Sequence, residues 1–153
     1  MTTQFSPSEL FEQLTQSSEQ LLDTLKAEYQ ALKADNIEII QSLSLQKEQL
    51  VNQLNQLEAQ RQQWQNTESN AHDFSHFLET LNPSFADSWE HIRYTTRLNQ
   101  QINQTNGMLL NRKHHLAQEL LGILTGNDHS SGESYTAQGN NQYNLTSYRE
   151  TQA

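Results

Sequence analysis

Leucines recur along the first part of the chain at helical spacing. Leu10, Leu14, Leu21, Leu25 and Leu32 follow one another at intervals of four or seven residues, with Leu22 and Tyr29 on an adjoining row. That is the period of an α-helix with one apolar face. Its start is marked as well: Ser6 can cap, Pro7 stands where a missing N–H costs nothing, and Glu9 completes a capping box. A break follows near Ala34. Asp35 is a good N-cap with Glu38 three residues on, and Ile39, Ile40, Leu43, Leu50, Leu54, Leu57 and Trp64 then form a new seam. Leu43, Leu50, Leu57 and Trp64 share one heptad row, whereas the row of Leu25, Leu32 and Ile39 runs out into Gln46, Gln53 and Gln60. A tight turn into an antiparallel partner explains both the cap and the change of row. One continuous bent helix explains only the change of row, so the turn is the expectation.

Asn66 to Ala71 is polar and reads as a loop, and His72 to Leu81 reads as a short helix ending before Asn82-Pro83. Ser84, with Asp87 three residues on, then caps a last helix carrying Phe85, Trp89, Ile92, Leu98, Ile102 and Leu109. A helix of roughly forty residues spans about 60 Å. Between Pro7 and Gly107 there is no glycine and only one proline. Since glycine costs about 1 kcal/mol and proline about 3 kcal/mol in a helix interior, the helices can run without interruption. After Leu124 glycine and serine return together. The expected fold is all-α: an elongated antiparallel helical bundle or coiled-coil hairpin over residues 1–125, with a flexible, disordered C-terminal tail over 126–153.

Composition sharpens this picture. Only 33% of the 153 residues are hydrophobic, enough for the seam between long helices but not for a thick spherical core. The remainder is glutamine and asparagine more than charge. Glutamine is a good helix former, and the regular leucine spacing favours solvated helix faces over a Gln/Asn-rich aggregating segment. A net charge of −9 argues against a nucleic-acid partner or an anionic bilayer. There is no apolar run of membrane-spanning length and no secretory signal, so membrane insertion is not expected and the cytoplasm is the default location. The absence of cysteine excludes disulfides and thiolate chemistry.

Candidate chemistry is sparse. His72 and His76 are four residues apart, near Asp73 and Glu79, a spacing that can hold a transition metal; ordinary surface histidines are the plainer reading, so no metal or other cofactor is expected. No phosphate loop or nucleophile motif is present, which argues against an enzyme. Asn103-Gln104-Thr105-Asn106-Gly107 resembles a hairpin turn in isolation, but helical spacing resumes at once. A helix interior where Gly107 admits another backbone is the better reading, with a hinge as the alternative.

Beyond Gly107 the apolar residues Leu109, Leu110, Leu116, Ala117, Leu120, Leu121, Ile123 and Leu124 cover an arc of roughly 160°, wider than one core-facing stripe. Either this part is buried more deeply, or a strip is left over for an amphipathic segment of another protein. Beside it Asn111-Arg112-Lys113-His114-His115 is free of acids and would favour an acidic partner. In the tail, Tyr135, Tyr143, Leu145 and Tyr148 stand among polar residues, as recognition elements that order on binding or as parts of an inert tail.

Several of these features together resemble the FlgN family of flagellar type III export chaperones. They are the turn Ala34-Asp35-Asn36, Lys47-x-x-Leu50, Leu57-Glu58-x-x-Arg61, the block from Asn103 through Asn106-Gly107 to Leu109-Leu110, and Tyr135-x-x-x-Gly139 after a loose linker. The resemblance runs from about Leu10 to Gly139. One departure is Thr136, which replaces the first glycine of the family's Tyr-Gly-x-x-Gly pattern. The resemblance implies a cytoplasmic chaperone without ATPase activity that binds a helical C-terminal segment of hook-associated junction proteins of the FlgK and FlgL type. It places the client on Leu109, Leu110, Leu116, Leu120, Leu121, Ile123 and Leu124. Tyr135 and Gly139 would engage an export-gate protein of the FlhA type. A monomer or weak homodimer is expected. The alternative is a coiled-coil or tethering subunit that hides the same strip in an obligate oligomer.

Overall fold

The computed structural model describes residues 6–68 and 73–126, all of whose regular structure is helical: α1 (Pro7–Lys33), α2 (Ile37–Glu68), α3 (Phe74–Leu81) and α4 (Pro83–Leu124). The expected all-α bundle is what forms. The chain divides into two compact units, Met1–Ala117 and Gln118–Ala153.

In the first unit α1 starts as its sequence dictates. Ser6 Oγ accepts from the Glu9 N–H, and the Ser6 N–H donates to the Glu9 carboxylate, with Pro7 opening the helix. The end of α1 is a Schellman motif: the Asp35 N–H donates to the Leu32 carbonyl and the Asn36 N–H to that of Ala31. Asp35 therefore lies at φ 55°, in the left-handed region, and cannot be the N-cap of α2. That role falls to Asn36, whose Oδ1 accepts from the Ile39 N–H. The chain turns here, as expected, with the cap one residue later than predicted.

After the turn α2 runs back along α1. Leu21 and Leu25 pack with Leu50, and Phe11 meets Trp64; one index falls as the other rises, so the pair is antiparallel. The predicted α1 seam is buried throughout, with Leu25 at 1% exposure. In α2 burial begins at Leu50; Ile39, assigned to the seam, is exposed. The polar stretch after Gln65 is not all loop, because α2 continues through Glu68: it contains no glycine or proline to stop the helix. The remainder, Ser69 to Ala71, lies outside the described residues, as does His72.

Asp73 caps α3 by accepting from the Ser75 and His76 N–H groups. Asn82 then ends α3 and begins α4: its N–H donates to the Leu78 carbonyl, while its Oδ1 accepts from the Ser84 N–H. The predicted cap, Ser84, is already inside the helix. Pro83 takes the first helical position, where no N–H is needed.

The core has two parts. At one level Phe11, Trp64, Phe74, Phe77, Phe85 and Trp89 form a cluster of stacked and edge-on rings, around Leu10, Leu14, Leu57, Leu78 and Ile92. The second part is the Leu21–Leu25–Leu50 seam. Along α1, α4 runs parallel: Asn99 Nδ2 donates to the Ser18 carbonyl and Asn106 Nδ2 to that of Leu25. Seven residues separate both the donors and the acceptors, which fixes a heptad register between the two helices.

Candidate functional site

Three regions bear on function. The first links α1, α2 and α4. Glu28 Oε1 accepts from Lys47 Nζ at 2.7 Å, and Glu28 Oε2 from Asn106 Nδ2 at 2.8 Å. Both hydrogens of the Asn106 amide are thus engaged, one by Glu28 and one by the Leu25 carbonyl 2.9 Å away. Asn106 is 3% exposed and Glu28 is buried. A charge at such a depth is tolerated because its partners replace water. Asn106 belongs to the block read earlier through Gly107, and the structure moves the emphasis. A methyl group on Gly107 would meet nothing within 4 Å, so no second backbone approaches there, and α4 passes through without a break. Asn106 is the residue of that block whose side chain hydrogen-bonds to α1 among the described residues.

The second region is the surround of Arg61. Its guanidinium lies over both the Phe74 and Trp89 rings, 4.8 and 4.6 Å from their centroids, at the corner that the two edge-on rings make. It donates through Nε and one terminal nitrogen to both oxygens of Glu58, and through the other to Gln65. A fork on a carboxylate, packed against two aromatic rings, is the environment in which arginine cannot be exchanged for lysine. Lys47, Leu50, Leu57, Glu58 and Arg61, which carried the resemblance, are therefore architectural here. Glu28 and Asn99 were not singled out from sequence. A polar residue on a buried row looks like one on a solvated row unless its partner is known; the heptad spacing of Asn99 and Asn106 was the available signal.

The third region is the apolar part of α4 after Asn106. In the first unit Leu109 is half-buried, whereas Leu110 and Leu116 are exposed, Leu116 at 50%. The register explains this. With Asn99 over Ser18 and Asn106 over Leu25, Lys113 comes to the turn that ends α1, where it pairs with Asp35. Past that point α1 has no residues left to offer. In the second unit Leu120, Leu121, Ile123 and Leu124 are exposed, Leu120 at 60% and Leu124 at 81%. The helix then closes on Gly126 at φ 66°, with the Thr125 and Gly126 N–H groups donating to the Leu121 and Ile123 carbonyls. Deeper burial, the alternative reading of these leucines, does not describe them.

Among the described residues no group of three or more His, Asp or Glu could hold a metal ion. His76 pairs loosely with Glu79, while His72 falls outside. A hollow of about 530 Å³ near the start of α1 and α4 is lined by Glu12, Gln16, Glu19, Ser84 and Ser88, among others. No described helix is long and apolar enough to cross a membrane. Tyr135, Gly139, Tyr143, Leu145 and Tyr148 lie outside the described residues.

In comparison with known proteins, the model of one family, described as FlgN protein, matches residues 1–142. No curated protein and no solved structure matches the chain.

Proposed function

This chain belongs to the FlgN family, and we propose that it captures hook-associated junction proteins of the FlgK and FlgL type through the apolar end of α4 and hands them to the export gate. Membership of the family gives the general role, that of a flagellar export chaperone. The finer reading rests on one observation. Leu110, Leu116, Leu120, Leu121, Ile123 and Leu124 stand in solvent at helical spacing, clustered at one end of α4, whereas other exposed apolar residues such as Leu45 and Tyr94 are scattered. A client segment that is itself an amphipathic helix would lay its apolar face on them, together with half-buried Leu109. Held there, it is unavailable for premature assembly. Binding of this kind needs no nucleotide, cofactor or nucleic acid, and the chaperone would act in the cytoplasm as a monomer or weak homodimer. Delivery falls to the tail: Tyr135 and Gly139, within the span that the family matches, would dock on a gate protein of the FlhA type.

The test is co-purification of junction proteins with the chain from its own cell. Replacing Leu116, Leu120 and Leu124 by Ser is expected to lose the clients while helicity by circular dichroism stays unchanged, and Tyr135→Ala to keep the clients but reduce their export. Undiminished capture by the triple variant would sink the α4 reading. A stable oligomer that dissociates in the triple variant would favour the scaffolding alternative instead.

A further inference from the structure

Charge is distributed unevenly in this molecule, and the unevenness falls beside the client strip. From His91 to Gln118, α4 contains no Asp or Glu but carries Arg93, Arg97, Arg112 and Lys113. All the acids of a chain of net charge −9 lie elsewhere. Two of the four cations are engaged, Arg93 with Glu90 and Lys113 with Asp35. Among the described residues Arg97 and Arg112 have no acidic partner, and both are exposed. They are not scattered. Arg97, Met108, Arg112 and His115 follow at intervals of eleven, four and three residues, so they lie along one side of the helix. All four are exposed. Arg112 also stands three residues after Leu109 and four before Leu116, at the border of the apolar strip.

We infer that the client helix carries acidic residues along one edge of its apolar face, set against Arg97, Arg112 and His115. The inference rests on the client reading above and adds what that reading leaves open: the polarity of the partner and the side on which its charge lies. Apolar contact alone would accept any amphipathic helix of suitable width. A basic border beside the leucines selects among them, because an acid at that edge is attracted and a lysine there is repelled. It also restricts the partner to one rotational setting, since Arg112 stands on only one border of the strip and Arg97 continues that side of α4 toward its start.

The experiment uses the full chain and two synthetic helical peptides with the same leucine face, one with Glu and the other with Lys along the same edge. Their affinities are measured by fluorescence anisotropy at low and high salt. The Glu-edged peptide is expected to bind about five- to tenfold more tightly at low salt, from two exposed charge pairs, and the preference should shrink in concentrated salt. In Arg97→Glu/Arg112→Glu, with helicity retained, the preference should reverse. Equal affinities, or a preference that survives the double reversal, would overturn the inference. If the peptides bind equally and Leu116→Ser weakens both, the strip stands and the acidic edge falls. If neither peptide binds, both the edge and the client surface are wrong.

Discussion

Between Ile92 and Lys113 the buried polar residues of α4 are Thr95, Asn99 and Asn106, and the two asparagines bond to α1. From Leu116 onward the exposed positions include the apolar Leu116, Leu120, Leu121, Ile123 and Leu124. One helix thus buries polar side chains along one stretch and exposes leucines along the next. The two stretches do different work. In the first, side-chain amides donate to backbone carbonyls of α1, which fixes register more than it adds apolar stabilisation. Stability is then concentrated in the α1–α2 seam and the aromatic cluster. The leucines of the second stretch belong to neither cluster, and in the proposed reading they meet a partner.

This contrast can be broken most severely in the core. Leu25→Ala is expected to cost about 2–5 kcal/mol, as for other buried leucines, read as a lowered urea midpoint. If Leu25→Ala leaves the midpoint unchanged, the apolar seam is not where stability resides. Glu28→Ala strands Lys47 and one hydrogen of Asn106, a loss of about 3 kcal/mol. Glu28→Gln keeps an oxygen for one of them and should cost less.

Asn106→Leu probes the register. It removes two hydrogen bonds, and about 1–3 kcal/mol is expected from the polar partners left behind. A neutral outcome would show that leucine serves there equally well, and the polar seam would lose its meaning. Ser6→Ala, at the far end of α1, should cost about 1 kcal/mol through loss of the capping box. Smallest of all, Leu124→Ser should change stability by no more than about 0.5 kcal/mol, as for a surface substitution. A larger loss would mean that the end of α4 belongs to the fold.

Much of this architecture was legible in the sequence. Ser6-Pro7 and Glu9 marked the start of α1, the seam from Leu10 to Leu32 marked its buried face, and the change of heptad row at Asp35 marked the turn. Errors arose where backbone conformation decided between neighbours. Asp35 takes the left-handed position, so Asn36 caps; Asn82 caps where Ser84 was expected, because one residue can end a helix and start the next. Gly107 drew attention for its small size, yet the neighbour that matters is Asn106. Periodicity locates apolar rows, but it cannot say that Asn99, Asn106 and Glu28 are buried, because their partners lie 78 to 81 residues away. Nor can it say where α1 stops opposite α4, and that register decides which leucines remain uncovered.

Hydrogen–deuterium exchange along α4, with and without a client's C-terminal segment, tests the central claim most directly. In the lone protein, amides from Ile92 to Asn106 should exchange slowly and those from Leu116 to Leu124 quickly; client should slow the second group and leave the first unchanged. Equal protection of both stretches in the lone protein, or no slowing at Leu116–Leu124 with client bound, would contradict the account.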